Sequence, residues 1–181
     1  MPDRRFSLAS ARAAAADDRV AEWVGELLAS PGSDNAILAA ALAQREHWWW
    51  GPVRVPVDAL VRLAGPEDDV LVPIDDDEWE DDVGSMSESL EEGWEPPPLL
   101  AEWQRGELLL QDGNHRYEAL VRDGATDVWV FVYSDNPRAR DDFDAGPYGT
   151  RLRRPQEVGE SGRPPSGGGP GSSTGGRTRP E

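Results

Sequence analysis

The residues with the clearest chemical potential lie together at Asp112-Gly113-Asn114-His115-Arg116. A strand that ends in Asp-Gly and opens a helix at Asn-His-Arg directs free backbone N–H groups and the positive end of the helix dipole at one point. Such a point binds anions, phosphate among them. His115 and Arg116 add side-chain donors, and a guanidinium grips two phosphate oxygens at once. Gly113 permits close approach of the backbone to a ligand. Without a ligand the same residues make an ordinary turn in which Asn114 caps a helix, His115 is a core or surface histidine and Arg116 pairs with the neighbouring acidic helix. From Leu63 to Val121 the arginines are Arg105 and Arg116, and there is no lysine.

The elements that must hold this turn follow from its flanks. Leu99 to Trp103 and Leu108 to Gln111 read as two strands joined at Gln104-Arg105-Gly106. A helix follows from Asn114 to about Arg122 and stops at Gly124. Val128 to Tyr133 is apolar on both alternating faces, as a central strand requires.

Further upstream, Val20, Trp23, Val24, Leu27 and Leu28 recur at helical spacing, predicting one helix from near Ser10 to the Ser30-Pro31-Gly32-Ser33 break. Asp34 or Asn35 caps a second helix, whose stripe is Ile37, Leu38, Ala41 and Leu42 and which reaches about His47. His47 there complements the helix dipole. Val53, Val55 and Val57 alternate with Arg54 and Pro56 as in an edge strand, and Asp58 is expected to cap a short helix closed by Gly65-Pro66. Trp48-Trp49-Trp50 is a ligand platform, a partner patch or the anchor of a domain edge, and at least one ring should be accessible because consecutive residues cannot all face one way.

Fifteen carboxylates and no Lys or Arg lie between Leu63 and Gln104. Within that stretch Trp79, Val83, Met86 and Leu90 line one helix face, while Glu80, Asp81, Asp82, Glu88 and Glu91 face water. Gly93 closes the helix. The run is either a solvated face or a surface for divalent cations or a basic partner. Asp75-Asp76-Asp77-Glu78 lacks the glycine and terminal glutamate of a calcium loop.

The chain has 181 residues and a net charge of −17. From Gly149 onward six arginines face three acids, so the residues before it carry about −20. An acidic body repels nucleic-acid backbones. The absence of cysteine excludes disulfides, a thiolate nucleophile and cysteine-ligated metals. No apolar run approaches the roughly eighteen residues that span a bilayer, and Arg12 with Asp17-Asp18 interrupts the stretch after Arg4-Arg5 that an export signal would need. No membrane partner and a cytoplasmic location are expected. Three regions result: an N-terminal helical region at 1–50, a folded domain at 51–148, and a Gly/Pro/Arg tail at 149–181 expected to be disordered.

The segment QDGNHRYEALVRDGA, residues 111–125, preceded by GWEPPPLLAEW and followed by the strand VWVFVY, resembles the ParB and sulfiredoxin superfamily. The resemblance covers roughly residues 51 to 134 and is sharpest at Gly113 to Arg116 and Ala119. It implies an α+β fold, a small mixed sheet flanked by helices, here preceded by a helical hairpin. It also implies a nucleotide such as ATP, usually with Mg²⁺, on Gly113, Asn114, His115 and Arg116. Sulfiredoxins have Gly-Cys-His-Arg, and Asn114 stands where their reducing cysteine would be. Asparagine cannot form the thiosulfinate ester, so sulfiredoxin chemistry is excluded. ParB proteins carry Gly-Glu-Arg-Arg here and a helix-turn-helix domain afterwards, which nothing after Tyr133 can form, so sequence-specific DNA binding is not expected.

If the protein is an enzyme, the resemblance points to Mg²⁺-dependent phosphotransfer or nucleotide hydrolysis, with Asp112, Glu118 or a carboxylate of the 75–82 cluster as base. Glu118 equally suits a routine contact on the helix surface. The alternatives are a non-catalytic acidic protein that binds a protein partner, and a nuclease, which the charge disfavours.

Overall fold

Polar caps and local backbone reversals cut the N-terminal region into three helices. The computed structural model describes residues 5–33, 35–67, 70–136, 138–146 and 148, so the 149–181 tail and the capping role of Asp34 lie outside the described residues. Helix α1 (Leu8–Ala16) starts at Ser7, whose hydroxyl accepts from Ser10 N–H while the Ser10 side chain returns to Ser7 N–H. This reciprocal capping box fixes the entry of the chain. The single helix expected from near Ser10 is in fact two. Asp18 adopts φ 57° and Arg19 N–H closes onto Ala14 O, a left-handed stop after which α2 (Val20–Leu28) leaves in a new direction.

Helix α3 (Ala36–Leu42) begins at Asn35, whose side chain accepts from Leu38 N–H. It ends five residues before His47, and Ile37 is 87% exposed, so the stripe packed on the core is the partly buried Leu38, Ala39 and Leu42. The shortening has a tertiary cause, because Trp48–Trp50 are drawn into strand β1 (Trp48–Pro56). After β1 only a single 3-10 turn, Val57–Ala59, forms where a capped helix was expected at Asp58. Leu60–Arg62 instead becomes β2, and two short segments follow, β3 (Ala64–Gly65) and β4 (Val72–Pro73). The outer edge of a later strand offers β2 backbone partners that a short isolated helix would lack.

Helix α4 (Asp76–Glu91) is capped by Asp75, and buries Trp79 and Val83 as its spacing predicts. β5 (Leu99–Gln104) and β6 (Glu107–Asp112) form the expected hairpin, followed by α5 (Asn114–Arg122) and β7 (Asp127–Ser134). The five-stranded sheet runs in the order β1-β7-β5-β6-β2. β1 with β7 and β5 with β6 are antiparallel, whereas β5 with β7 and β2 with β6 are parallel. The fold is therefore α+β with a mixed sheet, β1 at an edge and β7 inside, as the sequence indicates.

Both faces of the sheet are covered. Leu100, Phe131 and Tyr133 pack against Phe6, Trp23, Leu27 and Leu28 of the N-terminal helices. On the other face Val130, Val132 and Leu110 meet Phe143 from α6 (Ala139–Ala145), a helix the sequence did not announce. Phe143 lies 4.9 Å from the Trp50 ring and 5.3 Å from Trp103. Of the three consecutive tryptophans, Trp50 is buried and Trp48 is the accessible one, with Arg140 over its ring. Helix α4 docks on α5 through Trp79, Val83 and Ala119. Among the described residues no helix is long and apolar enough to cross a membrane.

Candidate functional site

The β6 to α5 junction forms at the residues its punctuation indicates. Asp112 ends β6, and Gly113 sits at the N-cap of α5 with φ 93° and ψ 30° and no side-chain cap. Tyr117 N–H returns to Gly113 O, so the N–H groups of Asn114, His115 and Arg116 precede the first helical bond.

Asp112 and Arg116 are both buried, and Arg116 Nη2 donates to Asp112 Oδ2 at 2.5 Å. The other carboxylate oxygen accepts from Ser33 Oγ at 2.8 Å and Asn35 Nδ2 at 3.2 Å. Arg116 Nη1 donates to Pro97 O at 3.2 Å. The arginine is thus anchored by the aspartate of its own turn rather than by the acidic helix. These two bonds use two of the five N–H groups that a guanidinium carries. The missing side chain of Gly113 makes this arrangement possible, because a Cβ there would fall 2.7 Å from Leu99 Cδ2 and 2.9 Å from Arg116 Nη2.

Arg116 also lines a cavity of about 700 Å³ between α4, the α2–α3 loop and the segment before β5. Phe6, Met86 and Trp94 supply its apolar wall, and Ser30, Ser89 and Glu92 join Arg116 as polar groups.

His115 has different neighbours. Its ring lies 4.4 Å from that of Trp79, and its Nδ1 is 3.9 Å from Asp82 Oδ2. Nε2 is buried without a hydrogen-bond partner among the described residues. Burial pushes the imidazole below its usual pKa, against the opposing pull of Asp82 and Glu78. Above the ordinary value of 6.5 the ring is neutral folded or unfolded, and as pH falls below it the unfolded chain takes the proton first. Stability present above pH 6.5 is therefore lost on acidification. Urea midpoints between about pH 7.5 and 5.5 should fall more steeply for the native chain than for His115→Gln. Equal slopes would remove His115 from that account.

Asn114 Oδ1 accepts from Ala64 N–H at 3.4 Å, tying β3 to the start of α5. Glu118 Oε2 accepts from Arg62 Nη1 at 2.9 Å and its Oε1 from Arg122 Nε at 3.0 Å. Arg62 also pairs with Glu67 and lies over the Trp79 ring, while Arg122 forks onto Glu80. Of the candidate bases, Asp112 and Glu118 thus have both oxygens engaged with donors, while Asp75–Glu78 and Glu80–Asp82 are exposed. The sequence reading missed Ser33, Arg62 and the Pro97 carbonyl, and saw Asn35 only as a cap. Ser33 is 79 residues from Asp112, so no local pattern could have joined them.

Among the described residues no group of three His, Cys, Asp or Glu side chains could hold a metal ion. The Mg²⁺ expected with a nucleotide would then be held mainly by phosphate, and Glu92 on the cavity wall matches the one or two carboxylates such an ion takes from protein.

The chain is an α+β domain with a mixed sheet and a buried Asp-Arg pair at a strand-to-helix turn beside a cavity. No protein-family model matches it. No curated protein matches it in sequence. Among the solved structures it is similar to are ParB proteins. One is the C-terminally truncated chromosome-partitioning protein ParB from Caulobacter crescentus complexed to the centromeric parS site, at 21% identity over 48% of this chain and 41% of that chain, with a TM-score of 0.31. Another is the C2221 form of a Pnob8-like ParB-N domain, at 24% identity over 54% of this chain and 33% of that chain, with a TM-score of 0.29. The matched chains are thus each covered over less than half their length. The α+β class rests on the strand order and helix placement described above.

Proposed function

We propose that this chain binds a nucleotide or another phosphorylated small molecule in the cavity beside the start of α5. The observation that carries this reading is the position of Arg116, a buried cation at an uncapped helix N-terminus that also forms part of the wall of a cavity of about 700 Å³. That volume falls within the range of about 300–1,000 Å³ common for small-molecule sites. The guanidinium suits phosphate, Trp94 offers an aromatic face for a base, and the Ser30 and Ser89 hydroxyls, which donate to Leu27 O and Ser85 O, keep oxygens that can accept from a ligand. The proposal concerns binding, because Asp112 and Glu118 are held in ion pairs and neither is a ready base.

Titrating the full chain with ATP, CTP, GTP and ADP, with and without Mg²⁺, should give a saturable tryptophan fluorescence change with at least one nucleotide, larger or tighter with Mg²⁺. Ser89→Phe, which fills the cavity from α4, should abolish it while the far-UV circular dichroism stays native. No saturable change with any nucleotide at millimolar concentration rejects the reading. It would favour the second one, a non-catalytic protein that binds a basic partner, for which the observation is that Asp75–Glu78, Glu80–Asp82, Glu88 and Glu91 are all exposed on or beside α4.

A further inference from the structure

The buried polar cluster around Asp112 joins two parts of the chain that the sequence presents as separate. Asp112 sits between Arg116, from its own strand-to-helix turn, and the pair Ser33 and Asn35, from the connection between α2 and α3. Apart from its bond to the carboxylate, the Ser33 residue contributes its backbone N–H to Ser30 O. Asn35 has a second role, since its Oδ1 caps α3 while its Nδ2 reaches Asp112. The same connection supplies Ser30, Pro31 and Gly32 to the cavity wall on which Arg116 lies. One carboxylate therefore fixes both the loop that bounds the cavity and the guanidinium within it.

We propose that Ser33 and Asn35 are positioning residues for Arg116, acting through Asp112, so that the N-terminal helical region sets how well the turn binds an anion. The proposal rests on the reading of Arg116 as a ligand group. Two donors on Oδ1 hold the carboxylate plane, which leaves Oδ2 aimed at Arg116 Nη2. With that oxygen fixed and Pro97 O fixing the second nitrogen, the guanidinium has one orientation. Removal of a donor on Oδ1 frees the carboxylate to rotate and Arg116 to follow it. Neither Ser33 nor Asn35 lines the cavity, so their effect on a ligand must pass through this chain of bonds.

Ser33→Ala is the clean variant because Ser33 caps no helix, and Ser33→Thr restores the hydroxyl. Asn35→Asp keeps an acceptor for the α3 cap but sets a carboxylate against Asp112. Two measurements on the full chain separate this proposal from the ligand reading. In the ligand-free protein, the ¹⁵N-detected side-chain signal of Arg116 should report restricted rotation of its guanidinium. That restriction should be lost in Ser33→Ala and Asn35→Asp and recovered in Ser33→Thr. An Arg116 signal unchanged by Ser33→Ala overturns the positioning role whatever the protein binds. In nucleotide titrations, Ser33→Ala should weaken the dissociation constant about fivefold, with recovery in Ser33→Thr. A dissociation constant unmoved by Ser33→Ala also overturns the proposal. If the native chain binds no nucleotide, the ligand reading fails and the Arg116 signal alone decides whether Ser33 positions it.

Discussion

Asp112→Ala is expected to destabilise the protein by about 3–5 kcal/mol, the cost typical of breaking a buried ion pair from one side. The side chains of Asp112 and Arg116 are each only 6% exposed, so removing the partner leaves a largely buried guanidinium without its counter-charge. The loss would spread, because Ser33 Oγ and Asn35 Nδ2 lose their acceptor in the same substitution. Arg116→Met should also cost several kcal/mol, leaving the carboxylate with its two neutral donors. The double variant Asp112→Ala with Arg116→Met should be much less destabilised than the sum of the two, since neither charge is then stranded. Denaturant unfolding of the four proteins gives the coupling directly. Additive effects would mean that the pair is not the unit described here.

Gly113→Ala should cost about 2–4 kcal/mol, combining a left-handed backbone conformation with overpacking. At φ 93° any Cβ is strained, and this one would also meet Leu99 Cδ2 at 2.7 Å and Arg116 Nη2 at 2.9 Å. Gly106 supplies the control. Its φ is 88°, yet a Cβ there meets nothing within 4 Å, so Gly106→Ala should show only the conformational part, about 1–2 kcal/mol. If the two variants lost equal stability, the close packing of Arg116 over the turn would be contradicted.

Much of the frame was legible because local rules agreed with the tertiary result. Gly113 and Gly124 bracket α5 at the expected residues, and the spacing of Trp79, Val83, Met86 and Leu90 names the packed face of α4. The apolar run in β7 identified an interior strand, since only a strand covered on both sides can carry it. Three residues such as Leu60–Arg62 hold no periodicity, and their strand exists because β6 offers an edge. Helix α6 has only seven residues, three of them Asp, and its one large apolar side chain is drawn in by Trp50 and Trp103 from distant strands.

The candidate site divides in the same way. The turn and its uncapped helix start follow from Asp112-Gly113-Asn114, whereas the state of Arg116 does not. A basic residue in a long acidic stretch suggested a free phosphate fork, but burial beside Asp112 makes it an anchored one. His115 and Arg116 are neighbours in sequence on a helix, so they point some 100° apart and meet separate surroundings, Trp79 for one and the cavity for the other. The contacts from Ser33 and Asn35 depend on how α2 and α3 pack on the sheet, which is information spread over the whole chain.

The most direct measurement of the central claim is thermal unfolding of the full chain, with and without nucleotide and Mg²⁺. A ligand present at a hundred times its dissociation constant adds about 2.7 kcal/mol to the folded state. For a domain of this size that raises Tm by roughly 5–10 °C. The account predicts such a rise with at least one nucleotide and none in Ser89→Phe. A native chain whose Tm is unmoved by every nucleotide at millimolar concentration contradicts it.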